Sequence, residues 1–312
     1  MSQYTYIAYG LTIRSIIEVP ELPTGPRSSA ADVRVELGEV PRRLEPVDYE
    51  RHEPSDRGET YLIISRERVL LHVDGVGRYL VEAGSRVTIE PDANSIAHEV
   101  RVFLLGTCVG ALLHQRGAFV LHASGIGTPQ GCVLFAGNSG AGKSTLLAEF
   151  LRRGHRMLVD DVCAITADGD QITVTPSFPR TRVWSDAAAE LNIDTTGLQR
   201  TLTNLAKFER QLPGQFWATA LPPRAIYELT GPMGGEMVFS RLTPIEVLPT
   251  LISHTYRSMM LDALGVRRHH FDMASAIARS VPVTRVSRPE FGFTVAEIAD
   301  HITTDLGLAT PT

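Results

Sequence analysis

Lysine is nearly missing from this chain. Of 30 basic residues only Lys143 and Lys207 are lysines, and the rest are arginines. Cysteine is scarce as well: Cys108, Cys132 and Cys163 stand singly inside apolar segments. That spacing excludes a zinc site and reads as small core residues in a reducing compartment. Neither charge sign dominates, and a net charge of −5 gives no general pull toward nucleic acid or an anionic membrane, so any phosphate site has to be local. No stretch approaches the ~20 apolar residues of a bilayer span. The most apolar helix candidate, Val100 to Leu113, is short and carries Gly106 and Gly110. The N-terminus shows no basic segment followed by an apolar block, so a signal peptide is not expected and the protein reads as cytoplasmic. Internal repeats are absent.

What is present suits a soluble globular protein. The 312 residues are 43% hydrophobic and 21% charged, enough for one or two domains with a substantial core. One stretch organises the rest. Gly137–Asn138–Ser139–Gly140–Ala141–Gly142–Lys143–Ser144 fits G-x-x-x-x-G-K-[ST], the phosphate-cradling P-loop. It lies where that loop belongs, after the apolar run Cys132–Ala136 and before the helical spacing of Thr145 to Arg153.

The glycines let the backbone curl with its N–H groups inward as an anion nest, and a helix opening near Lys143 adds its positive end. Lys143 supplies a mobile charge for β- and γ-phosphates, and the Ser144 hydroxyl suits Mg²⁺. A compact ammonium fits between phosphates where a planar guanidinium does not, so the rarity of lysine sharpens the reading. Gly137, Asn138, Ser139, Gly140, Ala141, Gly142, Lys143, Ser144 and Thr145 are therefore the candidate ATP-binding residues.

Along the chain, Tyr4–Tyr9, Leu11–Val19 and Val33–Leu37 are strand candidates, set among Pro- and Arg-rich loops and edge strands up to Pro54. Tyr61–Ser65, Val69–Val73, Gly77–Glu82 and Arg86–Glu90 predict an antiparallel meander. Ser95 to Gln115 reads as one helix ending at Arg116–Gly117, which places a domain boundary there, giving a β-rich domain over 1–115 and an α/β domain over 116–312. Beyond the P-loop helix, His155–Val159 reads as a buried strand. Val162–Thr166 and Ile172–Thr175 form a hairpin about Asp168–Gly169–Asp170, and Pro176–Trp184 is a loop leading to the helix Ser185–Leu191. Residues 194–222 read as a long mobile loop, Arg224–Leu229 and Pro282–Val286 as strands, and Pro244–Leu261, His270–Ser280 and Thr294–Gly307 as helices.

An apolar strand closing in Asp160–Asp161 is what a Mg²⁺-positioning second motif looks like. Adjacent aspartates more commonly cap a strand and start a turn, but here they follow closely on a P-loop helix. Two neighbouring carboxylates resist ionising together at low dielectric, unless a cation neutralises one while the other acts as base. The residues do not say which does which; Asp161 is taken as the base and Asp160 as a metal ligand alongside Ser144. His122 sits on the apolar strand before the P-loop strand, where a histidine is usually a core or edge residue; its position favours a hydrogen bond to the aspartate pair. Arg180 and Arg182 share one side of a strand-like segment, as a solvated basic face or as contacts to a phosphoryl or carboxylate group. Lys207 lies in the expected mobile loop, where it could close over phosphates, but it is read as a surface lysine; Arg267–Arg268–His269–His270 reads as surface charge at a helix start.

The order of Val120–Leu121–His122–Ala123, the P-loop, Arg153–Gly154–His155 and Leu158–Val159–Asp160–Asp161–Val162 resembles the HPr kinase/phosphorylase catalytic domain, whose fold is similar to the core of phosphoenolpyruvate carboxykinase. The resemblance is close over about 45 residues and looser from 116 to 300. It implies a P-loop kinase core behind a smaller, mostly β domain, with ATP and Mg²⁺ as cofactors. It also implies transfer to a serine on a peptide or small protein, with assembly into a homo-oligomer left open. Asp160, Asp161, His122 and Lys143 would form the catalytic centre.

The glutamate-and-glycine signature that follows the aspartates in that family is absent. Pro179–Arg180–Thr181–Arg182–Val183–Trp184 stands in its place and resembles the HPr-kinase-like enzymes of lasso-peptide biosynthesis, which phosphorylate the C-terminal serine of a precursor peptide. The alternatives are an NTPase or small-molecule kinase on the same core, or a nucleotide-sensing module without turnover.

Overall fold

A computed structural model describes residues 3–26, 30–55, 58–169, 171–232, 235–289 and 292–309. The chain is a mixed α/β protein with several sheets. It divides into Met1–Val120 with Arg257–Asp272, and Leu121–Tyr256 with Met273–Thr312.

The first unit is built on an eight-stranded sheet. Its strands are β1 (Tyr4–Ala8), β2 (Leu11–Ser15), β3 (Val33–Leu37), β4 (Tyr49–Ser55), β5 (Gly58–Ser65), β6 (Arg68–Val73), β7 (Gly77–Glu82) and β8 (Arg86–Pro91), ordered β1-β2-β3-β8-β7-β6-β5-β4. The meander expected from Tyr61 to Glu90 is there, in the register Leu62↔Leu71, Leu70↔Leu80 and Leu80↔Thr88. Only β3 pairs in parallel, with β2 and with β8.

The helix expected over Ser95–Gln115 runs as α1 (Ala97–Phe103), a π-helical turn Leu104–Cys108 and α2 (Val109–Gln115). The wider turn accommodates Gly106 and buries all five of its residues. Tyr79 donates its hydroxyl to the Val100 carbonyl at 3.1 Å, tying sheet to helix. His270 corrects the reading of Arg267–His270 as wholly surface charge: it is buried and stacks on Phe119 at 4.3 Å.

From β9 (Phe119–Leu121) the chain enters the second unit. There β10 (Ala123–Thr128), β11 (Gly131–Gly137), α3 (Lys143–Arg152), β12 (Arg156–Val159), β13 (Cys163–Asp168), β14 (Gln171–Val174), β15 (Arg180–Trp184), α4 (Ser185–Glu190) and β16 (Lys207–Gln211) follow in order. After them come β17 (Pro223–Pro232), β18 (Val238–Arg241), α5 (Pro244–Ser253), α6 (Met260–Ala263, in the first unit's segment), α7 (Arg267–Ser280), β19 (Val283–Arg288) and α8 (Val295–Leu306). The main sheet runs β12-β10-β11-β17-β19-β18, with β11, β17 and β19 mutually parallel. α3 and α8 cover one face. Phe150 stacks on Phe135 at 5.3 Å, and Leu146, Leu147, Ile298 and Ile302 close the same core.

Three expectations change. Pro176–Trp184 is not all loop, because its second half is β15. The supposed mobile loop over 194–222 contains β16, which pairs with β15 from Arg180↔Gln211 to Trp184↔Lys207. Both strands are rich in charge and so lack the apolar alternation that marks a strand in sequence. The single helix over Pro244–Leu261 breaks after Ser253, and at the break the His254 carbonyl accepts the His122 backbone N–H at 2.8 Å. The hairpin β13–β14 forms as read, though Asp170 of its turn lies outside the described residues.

Candidate active site

The site begins where β11 runs out. Gly137 has φ 152, and a Cβ there would lie 2.5 Å from the Leu229 carbonyl oxygen on β17, so the loop can leave the sheet only through glycine. Gly142, at φ 93, turns the chain into α3. Between them, Ser139 to Gly142 line a cleft of about 530 Å³ together with Lys143, Ser144 and Thr145. Gly137 and Asn138 lie behind, and their carbonyls accept the Lys143 ammonium at 2.8 and 2.9 Å. Burial pulls the Lys143 pKa down to about 8, against the opposing pull of Asp161 and Asp160. A buried ammonium parked on its own loop's carbonyls is a cation available to a polyanion.

β12 delivers the aspartates, and the two differ sharply. Asp160 is buried and saturated. Its Oδ1 accepts Ser124 Oγ at 2.6 Å and Ser144 Oγ at 3.0 Å; its Oδ2 accepts Thr181 Oγ1 at 2.8 Å and the Arg182 backbone N–H at 3.1 Å. Adjacent ligands of an octahedral Mg²⁺, each ~2.1 Å from the ion, lie about 3 Å apart. The 3.0 Å between Ser144 Oγ and Asp160 Oδ1 matches that spacing, so the pair fits such an ion.

Asp161 sits at φ 71, and this left-handed turn swings its side chain into the cleft. Oδ2 accepts Arg182 Nη1 at 3.1 Å, while Oδ1 is 3.9 Å from His122 Nε2, beyond hydrogen-bond reach. Burial raises the Asp161 pKa, but the surrounding cations, Arg182 foremost, outweigh it and hold the carboxyl below its usual range. His122 lines the cleft and stacks on Tyr256 at 5.7 Å. Burial above all pushes its pKa down to about 4, so it is neutral at pH 7. The expected hydrogen bond from His122 to the aspartates is absent, because the aromatic stack and the main-chain bond to His254 hold the ring short of Asp161.

Arg180 and Arg182 are buried, which excludes the solvated-face reading. Both reach Glu209 Oε1 on β16, at 2.8 and 3.1 Å, and Arg180 also lies over the Phe178 ring. Arg182 thereby contacts both aspartates, Asp160 through its main chain and Asp161 through its side chain. Neither arginine lines the cleft.

Lys207, together with residues that the sequence did not single out, completes the walls. Lys207 is half-buried in the cleft, not a surface residue, and its ammonium is 5.3 Å from the Trp184 ring centroid. Arg288 at the end of β19 approaches the loop, its Nη1 3.2 Å from where a Gly142 Cβ would stand. Phe293, Val295 and Ile298, with Asp186 and Glu190 of α4, line the rest of the cleft. The rarity of lysine was the one signal that pointed to Lys207.

No family model matches the chain. A 145-residue stretch is 28% identical to an HPr kinase/phosphorylase from Aromatoleum aromaticum (strain DSM 19018 / LMG 30748 / EbN1), covering 43% of this chain and 45% of that protein. The chain thus spans about half the length of the curated relative it matches. Among solved structures, the Hpr(Ser) kinase/phosphatase from Coxiella burnetii is 12% identical with a TM-score of 0.33, over 60% of this chain and 95% of that one. The aligned stretch carries a distant homology to HPr kinase/phosphorylase.

Proposed function

We propose that the protein is an ATP- and Mg²⁺-dependent serine kinase acting on a peptide or small protein. The observation that carries this reading is the pairing of a saturated Asp160 beside Ser144 with an Asp161 that keeps one oxygen unbonded in the same cleft as Lys143. The distant homology to HPr kinase/phosphorylase supports phosphotransfer as the reaction class.

In this reading the loop N–H groups and Lys143 hold the β- and γ-phosphates. Ser144 and Asp160 would hold Mg²⁺, which supplies charge neutralisation across the phosphates when bound. Asp161 Oδ1 takes the proton of the attacking serine hydroxyl as the new P–O bond forms and the bond to the departing ADP breaks. A carboxyl kept ionised by Arg182 is ready to accept or orient that proton at pH 7, and a neutral His122 beside it adds no competing charge. The substrate favoured by the Pro-Arg-x-Arg-x-Trp segment is the C-terminal serine of a lasso precursor peptide. The first unit serves as the partner-recognition domain.

The test is incubation with γ-labelled ATP, Mg²⁺ and peptides ending in serine, with mass spectrometry of the product. Phosphoserine at the peptide terminus is expected, and Lys143→Ala should abolish its formation. Transfer that survives the loss of Lys143, or label released only as free phosphate, would refute the reading.

A further inference from the structure

Lys207 has no role in the mechanism above. Its ammonium makes no hydrogen bond and no ion pair with any described residue, although the side chain is half-buried and lines the cleft that holds Lys143, Ser144 and Asp161. Its one contact of note is the Trp184 ring, opposite it in the β15–β16 register, with the ammonium 5.3 Å from the centroid. A cation–π contact of this kind contributes ~0.5–1 kcal/mol at an exposed site and offsets only part of the desolvation of an ammonium. Packing alone therefore does not explain an unpaired cation here.

The placement is specific. Lys207 and Glu209 alternate onto the same side of β16. Glu209 anchors Arg182, and Arg182 anchors Asp161. The same short strand thus braces the aspartate and aims an ammonium into its cleft. Lys143 approaches from the loop and Lys207 from the β16 wall of the same cleft. Asp161 and Asp160 attract both ammoniums, and a polyanion between the two lysines would relieve their remaining mutual repulsion.

We propose that Lys207 is a second phosphoryl-binding cation, whose ammonium contacts the terminal phosphoryl group of the nucleotide as it transfers, opposite Lys143. Trp184 acts as the platform that keeps the Lys207 chain extended over the cleft. The step is the one already written: the serine oxygen bonds to the γ-phosphorus, the bond to the ADP oxygen breaks, and the proton passes to Asp161. Lys207 donates hydrogen bonds to the equatorial oxygens, whose charge shifts as the bonds exchange, and neither gains nor loses an atom.

This inference rests on the kinase reading, and the experiment separates the two. Binding of Mg–ADP alone and of Mg–ADP with aluminium fluoride is measured by calorimetry for the wild type, Lys207→Ala and Lys207→Arg, alongside steady-state transfer. Lys207→Ala should bind Mg–ADP as the wild type does, bind the fluoride complex at least 10-fold more weakly, and lose about 10²–10³ in kcat with little change in peptide KM. Lys207→Arg should recover part of both losses. Equal weakening of both complexes, or a raised peptide KM at unchanged kcat, would overturn the assignment. If the wild type transfers to no serine peptide but the fluoride complex still depends on Lys207, the phosphoryl contact stands and the serine-kinase reading falls.

Discussion

Asp160 and Asp161 are neighbours in sequence with opposite environments. Asp160 accepts from Ser124, Ser144, Thr181 and the Arg182 main chain, so both its oxygens are used in holding the site together. Asp160→Asn turns an amide N–H₂ toward some of those donors. A loss of about 1–3 kcal/mol in urea unfolding is expected, with a raised Mg²⁺ requirement in any transfer assay. Unchanged stability and unchanged metal response would contradict the described network.

His122 gives a pH-dependent prediction. Its folded pKa of about 4 lies below the ordinary 6.5, so the unfolded chain takes up its proton first as the pH falls. This has no effect above pH ~6.5, stability is lost progressively from there down to about 4, and the full cost is roughly 3 kcal/mol. His122→Asn should lose about 2–3 kcal/mol less than the wild type between pH 7 and 4.5 by chemical denaturation. Equal losses in the two proteins would show that the ring is not held neutral.

At the scale of elements, the antiparallel pair β15–β16 carries the second half of the site, and it was the least legible part of the chain. Arg180-Thr-Arg-Val-Trp and Lys207-Phe-Glu-Arg-Gln place charges where a buried strand normally has apolar side chains, so the alternation that reveals a strand is masked. Arg180 and Arg182 are buried because both pair with Glu209, which stands opposite Arg182 in the register. Arg182→Met should therefore cost about 3–5 kcal/mol in urea unfolding, as expected for breaking a buried ionic network. A change within ~0.5 kcal/mol would return the arginine to the class of surface residues. β11 and α3 were legible in contrast, because glycine spacing, the apolar run Cys132–Ala136 and the helical period all coincide within one short stretch.

Across the whole molecule, local signals read well and long-range ones did not. The meander of the first unit follows from alternation and turn residues. The return of Arg257–Asp272 to that unit depends on contacts far apart in sequence, with no local mark. The break after Ser253 is similar: Pro244–Leu261 has helical spacing throughout, but the helix stops where the His254 carbonyl accepts the His122 main-chain N–H. The site is likewise an assembly of distant segments. Lys143 and Ser144 come from one turn, Asp160 and Asp161 from the next strand, and Lys207 from a segment read as loop.

The most direct measurement compares Mg–ATP affinity with single-turnover phosphate transfer in the wild type and in Asp161→Asn. In the proposed reading Asp161 acts on the serine hydroxyl and not on the phosphates. Asp161→Asn should therefore bind Mg–ATP within about 2-fold of the wild type and transfer ~10²–10⁴-fold more slowly. Transfer at the wild-type rate by Asp161→Asn would contradict the assignment of this cleft as a serine-kinase active site.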